Sequence, residues 1–190
     1  MELERDQKQD EEGGRQHKLA HTAVLRINRS RYRVVMERLT YDDDTAFTLA
    51  DDASTIARVV RTATSEQLRA TKFDDWSALE VIGHVADMAE VFAERVRRMI
   101  AESKPRLPGV DQDAIHAERR NNEREPMELA KRIQAAHGEI VRLLAEKANR
   151  ARTGLHGEWG EIDAAHVAAY QARHAHEHVT QVAERFPPAN

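Results

Sequence analysis

The chain has 190 residues, enough for one ordinary domain with an appendage but hardly for two full domains. A net charge of −4 supplies no positive field to hold a nucleic acid or an anionic membrane surface, so neither is an expected partner. Cysteine is absent, which excludes disulfides, thiolate metal sites and a catalytic Cys, and no apolar run approaches the ~20 residues needed to cross a bilayer.

Residues 1–39 read as a polar and basic N-terminal extension, disordered or loosely attached. Glu2 to Gly14 has no apolar period to bury. Arg26, Arg29, Arg31, Arg33 and Arg38 then form a basic patch. As a nucleic-acid arm it would need support that the preceding acidic residues do not give, and a solvated tail is the preferred reading. Met36 is an alternative start of the natural chain. The first residues have no apolar core of a secretion signal, so the cytoplasm is the default location.

From residue 40 to 190 the pattern is helical. Asp43 or Asp44 can cap a first helix with the stripe Leu49, Ala53, Ile56 and Val60, ending near Thr64. After a loop, Ser77 followed three residues later by Glu80 forms a capping box: the hydroxyl takes a free helix amide, and the carboxylate reaches back to the cap. The second helix therefore starts at Ala78 and buries Val81, Val85, Met88, Phe92 and Val96, with Trp76 packed on its start. Pro105 and Pro108-Gly109 break the chain, and residues 111–121 form a short connecting helix. Glu125-Pro126 opens a third helix, because proline is pre-shaped for a first turn, and its stripe is Leu129, Ile133, Ile140 and Leu144. Gly154, Gly157 and Gly160 make an irregular link. Asp163 caps a fourth helix that reaches about Arg185. Four amphipathic helices over this length predict an all-α four-helix bundle.

Histidine carries the chemistry. His174 and His178 are four apart, one turn from each other on a face shared with Val167, Gln171 and Val182. His84 adjoins the stripe of the second helix. Singly, an inward His is more often a satisfied core residue than a ligand, and an i,i+4 pair on a surface helix is often accidental. Together they suit one ion, since burying three uncompensated imidazoles would be costly and a metal is the simplest shared partner. That reading requires the second and fourth helices to face each other. His176 points about 200° away from His174 on an ideal helix and is read as exposed. His17, His21 and His116 are read as solvent residues.

The run Trp76-Ser77-Ala78-Leu79-Glu80-Val81-Ile82-Gly83-His84-Val85-Ala86-Asp87 resembles the second-helix signature of the DinB-like (YfiT-like) superfamily. So does Leu107-Pro108-Gly109-Val110-Asp111-Gln112-Asp113 in the connection that follows. His174-Ala175-His176-Glu177-His178-Val179-Thr180-Gln181 is similar to that family's closing His-x-x-x-His-x-x-Gln. The resemblance spans roughly residues 41–186. It implies an up-down-down-up four-helix bundle with one divalent metal ion, zinc or nickel, held by His84, His174 and His178. Asp87 and Gln181, which recur beside the ligands in these motifs, could orient ligand imidazoles or lie on the surface. Where the family often has His-Pro before its last helix, this chain has His156-Gly157-Glu158-Trp159-Gly160, which changes the rim of the site.

The family includes transferases and isomerases that use a small cellular thiol, and metal-dependent hydrolases. A thiol-dependent transferase acting on a small-molecule electrophile is the leading expectation. A metal-dependent hydrolase comes second, and a non-catalytic metal-binding or stress-response protein third. A homodimer is an open option. Arg119, Arg120 or Arg173 near the rim would suit an anionic thiol. A ferritin-like di-iron site is excluded by the lack of any Glu-x-x-His pair, and a zinc-protease site by the lack of His-Glu-x-x-His.

Overall fold

A computed structural model describes residues 37–188. The expected N-terminal extension therefore lies outside the described residues except for 37–39, and so do His17 and His21. Arg38 pairs with Asp163, and the Leu39 amide donates to His166 Nδ1 at 3.0 Å.

Four long helices dominate: α1 (Asp43–Thr62), α3 (Ala78–Ala101), α5 (Pro126–Ala145) and α7 (Ala164–Arg185). Short helices α2 (Ser65–Ala70), α4 (Gln112–Arg119) and α6 (Lys147–Arg150) lie in the connections. The cap of α1 is Asp42 rather than Asp43 or Asp44. A capping box needs a reciprocating side chain three residues on, and only Asp42 has one, in Thr45. The box at Ser77 and Glu80 starts α3 as expected, Pro126 sits at the start of α5, and Asp163 caps α7 through the His166 amide at 2.8 Å.

Each long helix turns its apolar stripe inward. Ala53, Ile56 and Val59 on α1 cluster with Val81 and Val85 on α3, Leu129 and Ile133 on α5, and Val179 and Val182 on α7, while Leu49, Met88, Ile140 and Val167 are buried as well. On α1 the fully buried valine is Val59, with Val60 packed half-buried at the margin. Full burial of each such aliphatic side chain contributes about 1.5–3 kcal/mol. Ala168, Ala172 and Ala175 on α7 are buried.

Contacts between the helices fix their directions. Asp52 meets His176, and Arg58 bonds the carbonyl of Phe186, so α1 and α7 run parallel. His84 meets His174 while Phe92 stacks on Tyr170, so α3 runs against α7. Arg132 bonds Asp87 while Glu139 bonds Arg97, so α5 runs with α3. The order is up, down, down, up. Both α1 and α3 pack on α5 and α7, which places these two successive helices on a diagonal.

The links carry small sheets that helical periodicity does not predict. Strands β1 (Lys72–Phe73) and β2 (Trp76–Ser77) pair antiparallel just before α3. Strand β3 (Arg106–Leu107) runs parallel to β4 (Thr153–His156), which turns back antiparallel into β5 (Gly160–Asp163). The expected irregular glycine link is therefore a hairpin that leads into the cap of α7. Gly154 packs closely there: an added Cβ would lie 2.8 Å from Leu107 Cδ1 and 3.1 Å from Met99 Cγ, so those side chains would have to shift. Among the described residues, no helix is long and apolar enough to cross a membrane.

Candidate metal centre

Ser77 fixes where α3 begins, and His84 follows in its second turn, 5% exposed. Because α7 runs antiparallel alongside, its inward i,i+4 pair His174 and His178 reaches the same point, both half-buried. One ring nitrogen from each of the three residues lies within 4.8 Å of the others. The rings meet edge to face, with centroids 5.1 Å apart for His84 and His174, 5.0 Å for His84 and His178, and 4.8 Å for His174 and His178.

The donor set fits a divalent ion of borderline softness. His84 Nε2 and His174 Nε2 are 3.3 Å apart. Two nitrogens held ~2.0–2.1 Å from one tetrahedral ion would be separated by about that distance, although it also suits one N–H···N hydrogen bond. Burial, followed by the neighbouring imidazoles His174, His178 and His116, pushes the pKa of His84 down to about 3, so at neutral pH its ring is uncharged and offers a lone pair. A group of three imidazoles suits zinc, nickel or a similar transition ion and not calcium or magnesium, which want oxygen.

The other histidines separate cleanly. His176 is exposed, and its Nδ1 lies 2.9 Å from Oδ1 of the buried Asp52. His137 is a core histidine whose Nδ1 lies 2.9 Å from the Leu49 carbonyl. A carbonyl can only accept, so Nδ1 carries the proton, and Nε2 accepts from the amide of Gln171 at 3.2 Å. His116, expected in solvent, is instead half-buried. It stacks on Trp76 with centroids 4.2 Å apart and planes 6° from parallel, its Nε2 is 3.7 Å from Glu80, and its Nδ1 is enclosed without a hydrogen-bond partner. Trp76 in turn meets the His84 ring edge-on at 5.2 Å. Trp76 and His116 thus form an aromatic wall beside the triad. Sequence gave no signal for His116, because a residue on a short connecting helix has no face until the connection is folded.

The two residues considered as orienting groups stand elsewhere. Asp87 is buried, but it accepts from Asn121 Nδ2 at 2.7 Å and Arg132 Nη2 at 2.6 Å rather than from a triad imidazole. Its carboxylate anchors the turn Asn121–Glu123 and α5 to α3, and so holds the connection that carries His116. Gln181 is exposed, and its side chain makes no hydrogen bond among the described residues, although it follows His174 by seven positions on the same helix face. Of the arginines considered for the rim, Arg173 lies over the Tyr170 ring at 5.6 Å, Arg119 is 3.9 Å from Asp87, and Arg120 pairs with Glu123. The His156 segment forms the β4–β5 turn, where His156 Nδ1 accepts from the amides of Glu158 and Trp159 and its ring stacks on Trp159 at 4.3 Å.

An open cleft of about 510 Å³ between α3 and α5 lies on a different face and contains no histidine. Its Arg97 and Arg132 already bond Glu139 and Glu90 at 2.7 Å each, so these charges answer one another rather than a ligand.

A model of the DinB superfamily matches residues 25–182. Among solved structures, the chain is similar to YfiT from Bacillus subtilis, described as a probable metal-dependent hydrolase with an unusual four-helix bundle topology. The TM-score is 0.66 at 19% identity, covering 86% of this chain and 94% of that one. It is also similar to a mycothiol-dependent maleylpyruvate isomerase, with a TM-score of 0.59 at 10% identity, covering 73% of this chain and 59% of that one. At such identities both likenesses bear on the fold alone. No curated protein matches the chain significantly.

Proposed function

The chain belongs to the DinB superfamily, and from that premise we propose that it is a metal-dependent enzyme whose His84, His174 and His178 hold one divalent ion, zinc or nickel. The observation that carries the reading is the convergence of three imidazoles, one of them buried, from two helices some ninety residues apart. An ion held by these three residues would supply Lewis acidity and would lower the pKa of a water or thiol bound to it.

The leading reading is a transferase that uses a small thiol as cosubstrate. With no cysteine in the chain, the attacking sulfur must arrive on that cosubstrate, and the electrophile is a second small molecule. The chain's own part is to bind and orient. Trp76 and His116 shield one side of the triad from water, and Asp87, through Asn121, keeps that wall in place. The second reading puts water in place of the thiol, giving a hydrolase, the activity described as probable for YfiT. In the third, the ion is bound and no substrate is turned over.

Metal analysis of the purified protein, followed by a panel of thiols with a generic electrophile and a panel of esters and amides, separates these readings. Replacing His84, His174 or His178 singly by Ala should remove most bound metal, and His176→Ala should retain it. Turnover that requires added thiol supports the first reading, thiol-independent hydrolysis the second, and metal binding without turnover the third. Wild-type protein that takes up no divalent ion on dialysis refutes all three.

A further inference from the structure

Arg95 lies on α3 eleven residues beyond His84 and is 6% exposed. Its Nη2 donates to the Pro108 carbonyl at 2.7 Å, and its guanidinium sits 4.9 Å from the centroid of the Phe92 ring. No carboxylate pairs with it among the described residues. The other buried charges of the core do have charged or ionisable partners, Asp87 with Arg132 and Asp52 with His176. A guanidinium carries five N–H donors and a fixed positive charge, and one carbonyl, one ring face and the neighbouring Tyr170 leave most of those donors unanswered.

The surroundings lead from this cation to the triad. Tyr170 stacks on Phe92 at 5.6 Å, and on its way toward the triad its ring lies 6.4 Å from that of His174 with planes 11° from parallel. Trp159 leans on Tyr170 at 4.8 Å, and both are only half-buried, so this aromatic strip is partly open. Arg173 adds a second, exposed cation over Tyr170. Burial, followed by the charge of Arg95, lowers the pKa of His156, which places Arg95 within electrostatic reach of the hairpin as well.

We propose that Arg95, assisted by Arg173, binds the carboxylate of an extended thiol cosubstrate whose body lies on Tyr170 and Trp159 and whose sulfur reaches the triad. The assignment to a thiol rests on the function proposed above, whereas the anion site itself does not. Eleven residues of helix advance about 16 Å, so a ligand touching both ends is a long molecule rather than a two- or three-carbon acid.

Two arms test this. In the first, protein stripped of metal by a chelator is titrated with succinate by calorimetry, with sodium chloride as the ionic-strength control. Saturable binding should appear, and Arg95→Met should weaken it about tenfold or more, as loss of a charge-assisted pair implies. The wild-type indole resonances give a readout that does not depend on the variant folding: succinate should move that of Trp159 and leave that of Trp76 in place. In the second arm, metal-loaded protein is offered 11-mercaptoundecanoate and 11-mercaptoundecanol, whose extended chains are long enough to approach the span from Arg95 to the triad. The acid should bind about tenfold more tightly, and Arg95→Met should erase the preference.

No saturable response to succinate, a response that survives Arg95→Met, or a shift at Trp76 alone would overturn the anion site. Tighter binding of inorganic phosphate than of succinate would overturn the carboxylate assignment. Succinate binding at Arg95 without a preference for the acidic thiol would overturn the thiol assignment. A protein that binds no metal yet binds succinate through Arg95 would sink the metalloenzyme reading and leave the anion site standing.

Discussion

Replacing Gly83 by Ala sets two effects of opposite sign against each other next to the triad. Gly83 lies in the interior of α3, where helix propensity favours Ala by about 1 kcal/mol. An added Cβ would, however, lie 2.3 Å from both Cβ and Cγ of Asn121 and 2.6 Å from its Nδ2. Rotating the Asn121 side chain cannot relieve a contact to its own Cβ, so the backbone of the turn Asn121–Glu123 must move. Asn121 is 1% exposed and donates to Asp87 at 2.7 Å, and that bond would be strained or lost. Overpacking costs about 1–3 kcal/mol and a hydrogen bond to a buried charged group about 1.5–3 kcal/mol. After the propensity gain, the variant should be destabilised by about 1.5–5 kcal/mol. Urea unfolding followed by far-UV circular dichroism measures this directly. Combining Gly83→Ala with Asn121→Gly removes the clashing Cβ, so the double variant should lose less than the sum of the singles. A Gly83→Ala protein as stable as the wild type, or more stable, would refute the close approach of helix and turn.

Ser77→Ala should cost about 1–2 kcal/mol, because Ser77 caps α3 through the Glu80 amide at 3.2 Å and its hydroxyl has Glu80 and Asn122 oxygens in reach at 2.7 and 2.9 Å. A urea midpoint unchanged from wild type would show that the cap is dispensable. Burial raises the Asp52 carboxyl to about 6 even beside His176. From about pH 4 to 6 the folded chain keeps a proton that the unfolded chain has lost, so this group's contribution to stability falls as pH rises through that window. Asp52→Asn should therefore gain about 1–3 kcal/mol at pH 7.5 and little at pH 4, and a loss at pH 7.5 would contradict the argument. His137, lowered by burial to about 4, works in the opposite sense: the unfolded chain takes up its proton first, so stability drops as pH falls from 6.5 toward 4. His137→Gln should flatten that acid limb of the melting curve, and an unaltered limb would remove His137 from the account.

Sequence alone determined the features whose physics is local. Ser77 with Glu80, Pro126 and Asp163 each mark a helix start, because a cap is completed within one turn of chain. The inward stripes of α3 and α5 were legible for the same reason, since a helical period survives whatever the helix packs against. Strands of two to four residues have too few positions to show a period, so the sheets around Trp76 and Gly154 appeared as loops. The i,i+4 pair His174 and His178 was visible along the chain, but whether His84 meets it depends on α3 running antiparallel beside α7. Tertiary structure also left Gln181 exposed, put Gln171 on His137, tied Asp87 to Asn121 and Arg132, and brought His116 onto Trp76. It left Arg95 buried without a carboxylate among the described residues, which no spacing could reveal. A hydrogen-bond donor or an ion's ligand finds its partner through space, and across the ninety residues between His84 and His174 only the packing of the helices sets that distance.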